Sequence, residues 1–328
     1  SPPKLQRTQK QIHIMPVTAG PIYPGIKDGL VFAIDPANKD SWAGPTSATV
    51  DSLTLYNPLS GSIINDTSGS YGDNESFAFD GVSDRIDTEA TPSNLGFPYQ
   101  TVTESDFSIS FWYYFNANEN YDPIIQATQF ATNGFGVWQS STVNTRSLNF
   151  FVGHYNDASL YTTQLNSETW YHIACVFKGG STHTQKIYVN GVENNTASYT
   201  TLRTIHSGKN CLIGGQTFQA RYLNGNIGPL LIYNRALSAG EILQNYNRLK
   251  GRFIFTVDYL VVAGGASGGG GRLNGNGSGG GGAGGVRTSF GSTSGGGASS
   301  ESSISANIGI SFTVTVGAGG AVSEGSAA

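Results

Sequence analysis

The composition of this 328-residue chain breaks after Phe253. An ordinary mixed sequence ends in Asn247-Arg-Leu-Lys-Gly-Arg-Phe253, and Tyr259-Leu-Val-Val-Ala-Gly-Gly265 then leads into runs of glycine, serine and alanine. Glycine supplies about a third of the residues beyond the break, against about a fifteenth in an average protein. A segment with so few side chains can neither catalyse nor fill a conventional core, so its role is read as mechanical, spacing or assembly-related. The default for Gly/Ser-rich chain is a flexible linker. Two bracketing patterns argue against that default. Phe253, Phe255, Val257, Tyr259 and Val261 alternate with Ile254, Thr256, Asp258 and Leu260, and Phe312, Val314 and Val316 alternate with Thr313 and Thr315. Strand-like brackets predict an ordered module in which glycine backbones pack closely. Collagen is excluded, because the glycines follow no strict Gly-X-Y period and residues 254–328 contain no proline.

Upstream of the break the pattern is that of a β-sheet protein. In Phe107-Ser-Ile-Ser-Phe-Trp-Tyr-Tyr-Phe115, residues Phe107, Ile109, Phe111, Tyr113 and Phe115 share one face by period-two alternation. The opposite face begins with Ser108 and Ser110 and ends with Trp112 and Tyr114, which predicts a strand inside a sandwich with a further layer over its aromatic end. Trp170-Tyr-His-Ile-Ala-Cys-Val-Phe177 and Lys186-Ile-Tyr-Val-Asn-Gly-Val192 come next, and Asn190-Gly191 supplies the two positive-φ positions of a type I′ hairpin turn. Shorter strands are expected at Gly29-Leu-Val-Phe-Ala-Ile-Asp35, Cys211-Leu-Ile213 and Ile227-Gly-Pro-Leu-Leu-Ile-Tyr233. One helix is predicted. Ser238-Ala-Gly-Glu241 has the spacing of a capping box, Ile242, Leu243, Tyr246 and Leu249 fall on one face, and Gly251 is placed to end it.

The ordered series Phe77-Ala-Phe-Asp-Gly-Val-Ser-Asp84, Phe107-Ser-Ile-Ser-Phe-Trp112, Trp170-Tyr-His-Ile-Ala174, Ile187-Tyr-Val-Asn-Gly191, Ile213-Gly-Gly215, Gly225-Asn-Ile-Gly228 and Tyr233-Asn-Arg-Ala-Leu-Ser238 resembles the laminin-G-like, concanavalin A-like lectin/glucanase superfamily. The resemblance implies an all-β fold, an antiparallel jelly-roll sandwich with one short C-terminal helix. The glycine-rich tail, with Phe312-Thr-Val-Thr-Val-Gly-Ala-Gly-Gly320 near its end, is similar to glycine-rich domains of structural proteins of tailed phages, especially cyanophages. The expected organisation is an extended N-terminal arm over 1–27, a sandwich over 28–253 and a glycine-rich region over 254–328 that is the start of a longer one.

Catalytic groups are hard to find. The best carboxylate pair for glycoside hydrolysis, Glu104-Ser-Asp106, lacks the further carboxylate of the glucanase pattern and sits in a loop. Asp84, Asp87 and Glu89 alternate around Ile86 but read as a solvated strand end. The five histidines show no metal-ligand spacing, and no Gly-x-Ser-x-Gly elbow or complete phosphate loop occurs. No catalytic or metal residue is therefore assigned and no cofactor is required; the family resemblance leaves room for calcium, for which no coordination set can be named. Cys175 and Cys211 lie in apolar strands and are expected to be buried thiols.

The remaining candidates are binding groups. Trp138, Tyr155, Asn156 and Tyr161 occur in loop-like surroundings and combine aromatic faces with amides, as carbohydrate sites do. Lys4, Arg7 and Lys10, in an arm with no acidic residue before Asp28, are candidates for docking on an acidic partner. A net charge of −4 gives no reason to expect nucleic-acid binding, no apolar run approaches the roughly 18 residues of a membrane span, and the N-terminus lacks the apolar stretch of a secretory signal. The resulting expectation is a non-enzymatic virion protein of a tailed phage, assembled in the host cytoplasm as a homo-oligomer. Its place would be a tail fibre, appendage or head fibre, held to other virion proteins by the arm and capable of contacting a host glycan. A free lectin-like module is the alternative and a glucanase the third.

Overall fold

The computed structural model describes residues 26–37, 50–54, 60–64, 76–89, 91, 106–116, 121–129, 133–140, 146–153, 158–200, 209–216, 219–269, 279–294, 298–307 and 312–321. The chain divides into two units, Ser1–Tyr246 and Asn247–Ala328.

The strands of the first unit are β1 (Leu30–Ile34), β2 (Val50–Thr54), β3 (Ser60–Ile64), β4 (Phe77–Asp80), β5 (Arg85–Asp87), β6 (Phe107–Phe115), β7 (Pro123–Gln129), β8 (Asn133–Gln139) and β9 (Leu148–Val152). They continue with β10 (Ser159–Tyr161), β11 (Trp170–Lys178), β12 (His183–Val189), β13 (Val192–Tyr199), β14 (Leu212–Ile213), β15 (Gly215–Gln216), β16 (Arg221–Tyr222) and β17 (Asn224–Tyr233), and helix α1 (Ala239–Phe253) comes after them. One sheet runs β1-β17-β6-β11-β12-β13, with β4 also on β17; the other runs β10-β9-β8-β7-β14-β5-β3-β2. Every pairing is antiparallel.

The two sheets close on the alternating faces read from the sequence. Phe107, Ile109, Phe111 and Tyr113 of β6 point into one buried cluster with Phe135 and Val137 of β8 and Phe150 of β9. The Phe107 ring lies 5.5 Å from that of Phe135 and 6.2 Å from that of Phe150, joining the sheets directly. Cys175 and Cys211 are free, buried thiols in this core, and burial pushes both thiols up. Burial likewise holds His172 far below the usual imidazole range, at about 3, so it packs as a neutral ring with Nε2 2.9 Å from the Ser110 hydroxyl.

The outer face of β6 is covered as its aromatic end requires. Ser108 donates to the Arg235 carbonyl and accepts from the Leu237 amide, both at 2.9 Å, and Trp112 stacks on Tyr246 of α1 with centroids 5.7 Å apart. The capping box forms in both directions, Ser238 N–H to Glu241 Oε2 at 2.8 Å and Glu241 N–H to Ser238 Oγ at 3.3 Å. Two helix expectations are corrected. Leu243 is 43% exposed, and the inward positions are Ile242 and Asn245, whose amide donates to the Tyr233 hydroxyl. Gly251 does not end the helix, which continues to the buried Phe253.

The hairpin turn between β12 and β13 has φ of 51° at Asn190 and 81° at Gly191, the pair of positive values a type I′ turn needs. The Asn190 side chain also accepts from the His172 amide at 2.9 Å. Pro229 lies within the central strand β17, where a proline would remove a ladder donor; the register against β6 shifts between Ile227 and Leu230, so the proline sits at a bulge.

The second unit contains β18 (Ile254–Val257), β19 (Leu260–Val262), β20 (Val286–Thr288) and β21 (Ile304–Asn307). These form two antiparallel ribbons, β18 with β21 and β19 with β20. Between them runs a ladder of another kind. The amides of Ala263, Ala266 and Gly269 donate to the carbonyls of Gly285, Gly282 and Gly279 at 2.8, 2.9 and 3.0 Å. Partners in a β-ladder do not recur at this spacing; a three-residue recurrence is that of polyproline II-like chains, which have three residues per turn. A third segment closes on the other side, with Gly264 N–H to Gly317 O at 3.2 Å and Gly320 N–H to Gly265 O at 2.9 Å.

The glycines conform to this geometry. A Cβ on Gly281 or Gly284 would lie 1.9 or 1.8 Å from a carbonyl oxygen of the facing segment, whereas one on Gly279, Gly280, Gly282 or Gly285 would meet nothing within 4 Å. The alternation at Phe312–Val316 does not produce a strand: the segment instead leads Gly317 into the ladder. Among the described residues no helix is long and apolar enough to cross a membrane.

Candidate functional site

Of the binding residues picked from the sequence, Lys4, Arg7, Lys10, Tyr155 and Asn156 lie outside the described residues. The structure separates the other two. Trp138 is in strand β8 instead of a loop and is only 2% exposed. Its indole N–H donates to Gln126 Oε1 at 2.9 Å, Gln126 donates to Gln216 Oε1 at 3.3 Å, and its ring packs edge-on with Phe151 and Tyr121. Arg221 lies over the Tyr121 ring at 4.7 Å. A ring enclosed in this way holds the sheet surface together and offers no free face for a sugar.

Tyr161 is 42% exposed on β10. β10 is an edge strand of one sheet and β13 an edge strand of the other, and here asparagines lace the two edges. Asn195 Nδ2 donates to the Tyr161 carbonyl at 2.8 Å, and Asn194 both accepts from the Thr163 amide and donates to its hydroxyl at 2.8 Å. The result is an exposed Tyr161 whose backbone is held by Asn195 near the Asn194–Thr163 pair, a grouping of aromatic, amide and hydroxyl groups of the kind carbohydrate sites use. The sequence named Tyr161 but missed its partners, because only the meeting of two sheet edges brings residues 161–163 and 194–195 together.

A concavity of about 490 Å³ lies on the outer face of the other sheet, between β11, β12 and the start of α1. Both of its carboxylates are already paired. Lys186 bridges Glu193 at 2.7 Å, and the Tyr188 hydroxyl donates to the same carboxylate at 3.2 Å. The hydrogen bond from Lys186 lowers Glu193 below the usual carboxylate range. Glu241 is held in a fork by Arg235 at 2.6 and 3.1 Å, which brings its carboxyl down to about 2. A glycosidase acid needs a carboxyl raised toward neutrality, and both carboxyls of this concavity are shifted the opposite way.

The described aspartates weighed from the sequence accept structural hydrogen bonds, some within turns and some between distant segments. Asp106 accepts from the Gly179 amide at 2.8 Å, Asp84 from the Asp80 amide at 3.2 Å, and Asp87 from the Glu89 amide at 2.8 Å and the Asn210 side chain at 3.0 Å. Glu104 lies outside the described residues. Among the described residues no three acidic, histidine or cysteine side chains come together to hold a metal ion.

The first unit is an antiparallel double-sheet β-sandwich. Residues 88–243 match the family model of the concanavalin A-like lectin/glucanases superfamily. No curated protein matches the sequence. Similar solved structures include the receptor-binding domain of botulinum neurotoxin C/D mosaic serotype, at 14% identity and TM-score 0.52, covering 72% of this chain and 58% of that one. The sialidase of Trypanosoma rangeli is 15% identical with TM-score 0.47, covering 71% of this chain and 35% of that one. The match thus spans about a third of the sialidase, and the likeness to both proteins is one of fold alone.

Proposed function

We propose that this chain is a non-enzymatic structural protein of a tailed-phage virion, part of a tail fibre, appendage or head fibre, in which the sandwich contacts a host-surface glycan. The observation that carries this reading is the glycine ladder. Its packing is made by backbone atoms at a three-residue spacing, a build suited to extension and assembly and devoid of groups that could do chemistry. The paired, acid-shifted carboxylates of the sandwich concavity support the absence of hydrolysis. The exposed Tyr161 beside Asn195 and Thr163 favours a glycan as the ligand of the sandwich.

Mass spectrometry of purified particles tests the reading: the chain is expected as a stoichiometric component, with a copy number that separates a tail appendage from a head fibre. Its absence from particles would refute the virion role. A second reading, a free lectin-like module, rests on the same Tyr161 edge. It predicts glycan binding on an array by a monomeric chain found outside particles. Release of reducing sugar from any bound glycan would refute both and favour a glucanase.

A further inference from the structure

We infer that the glycine-rich unit carries a homotypic docking surface, centred on an apolar groove that receives a second copy of this chain. The groove encloses about 340 Å³ and is lined by Val257, Tyr259, Val261, Ile304, Phe312 and Val314 among others. Ile304, Phe312 and Val314 are 39%, 49% and 65% exposed. Phe255, two residues before Val257 on the same strand face, is 40% exposed, and Val316, two residues after Val314, is 52% exposed.

This exposure accompanies little apolar burial among the described residues of the unit. Among the described residues of the unit, the buried hydrophobic side chains are Phe253 and Ala306. Two-stranded ribbons are marginal by themselves, and a unit of this size with little apolar burial is normally secured by disulfides, a metal or association. Both cysteines lie in the first unit as free thiols, and no metal-holding cluster occurs among the described residues. Association is the means that the exposed apolar side chains offer.

The surface also indicates which partner it fits. With aromatic side chains burying about 150–250 Å² each, the exposed fractions of Phe255, Ile304, Phe312 and Val314 amount to a few hundred Å² of apolar area, a sizeable share of the roughly 800 Å² per partner of a stable interface. Arg287 is the charged residue lining the groove, and its guanidinium is already bidentate to Glu301 at 2.6 and 2.7 Å. No free charge is left there to select an oppositely charged partner. Among the described residues, β18 and β19 each pair on one side, so every copy presents apolar side chains next to open strand edges. A surface of this kind is complementary to itself, as symmetric assemblies of identical chains require.

This inference rests on the reading of the chain as an assembling structural protein and is separable from it. Light scattering coupled to size exclusion should find the full chain oligomeric at micromolar concentration. The double variant Phe312→Ser/Val314→Ser should weaken association more than about tenfold, since each lost side chain contributes more than a kcal/mol of burial. Circular dichroism and thermal unfolding of the sandwich should stay unchanged. Should the variant misfold, hydrogen exchange of the unaltered chain serves instead, with protection of β18, β19 and 312–315 expected to rise with protein concentration. A monomeric chain, an oligomer indifferent to the double variant, or protection that appears only when particles are added would each overturn the surface. A monomer that is nonetheless a stoichiometric particle component would overturn the surface while leaving the virion reading intact.

Discussion

Replacing Gly284 and Gly282 separately by alanine distinguishes a packed glycine ladder from a flexible linker, because the two substitutions should have opposite signs. At Gly284 the new Cβ would stand 1.8 Å from the Ala263 carbonyl oxygen, 2.7 Å from its carbon and 2.9 Å from the Gly264 carbon. Ordinary contact begins near 3.5 Å, so the segments must part by more than about 1 Å, and the obstacle is backbone that no rotamer change can relieve. The bonds from Ala263 to Gly285 and from Ala266 to Gly282, at 2.8 and 2.9 Å, would then pass out of hydrogen-bonding range. At about 1 kcal/mol net for each bond, less the roughly 0.4–1 kcal/mol gained from the stiffer unfolded alanine, Gly284→Ala should destabilise the ladder by about 1–2 kcal/mol. At Gly282 the Cβ enters open space, so only the unfolded-state gain remains and the ladder is stabilised by about 0.5 kcal/mol. Hydrogen exchange of a peptide covering 263–269 reads the difference: about 2 kcal/mol separates the two variants, or roughly thirtyfold in protection at the amides of Ala263 and Ala266. Equal behaviour of the two variants would refute the three-residue packing.

Three further outcomes are expected of the sandwich. Glu241, held at about 2 by Arg235, has a folded pKa below its unfolded one, so it stabilises the fold above about pH 4.5. This contribution, about 1–2 kcal/mol after allowance for solvent screening of a pair roughly a quarter exposed, is lost as pH falls toward 2. The melting advantage over Glu241→Gln should therefore be present at pH 7 and vanish in acid, and a pH-independent difference would contradict the fork. Gly191→Ala places a Cβ 2.9 Å from Leu243 Cδ1 at φ of 81° and should lower stability to urea by about 1–2 kcal/mol; an unchanged midpoint would show that the turn is not fixed. Cys175 and Cys211, both fully buried, should resist a charged thiol reagent in the native chain and react fully in denaturant, and fast native labelling of either would contradict its placement in the core.

How far each part was legible depends on which interactions are local. β6 could be read in full because period-two alternation places Phe107, Ile109, Phe111 and Tyr113 on one face without reference to any partner, and its mixed outer face already implied a cover such as Tyr246 provides. The hairpin at Asn190-Gly191 and the capping box at Ser238 are likewise written within four residues. Legibility fails where two distant segments decide the outcome. Trp138 reads as a loop aromatic because its neighbours in sequence, Gly136 and Ser140, are turn-formers; its burial is set by Phe151, Tyr121 and Gln126. Leu243 was placed inward by helical spacing, yet Asn245 takes the inner position because the Tyr233 hydroxyl across the interface gives its amide a partner.

The glycine-rich unit reverses the usual relation between sequence and packing. In the sandwich, side-chain volume specifies the fit and the backbone adapts to it; in the ladder, the absence of a side chain at Gly281 and Gly284 lets carbonyls approach where a methyl group could not. Every third residue of that segment must then be glycine, while the columns holding Gly282 and Ala283 are free to vary, so the constraint has a period of three that is concealed by glycine at the unconstrained positions. Most of the unit's described large apolar side chains, Phe312 and Val314 among them, remain exposed, while Phe253 and Ala306 are buried. A segment ordered by removing side chains gains little from apolar burial of its own, so the proposed association through the exposed groove and the glycine content would both follow from one composition.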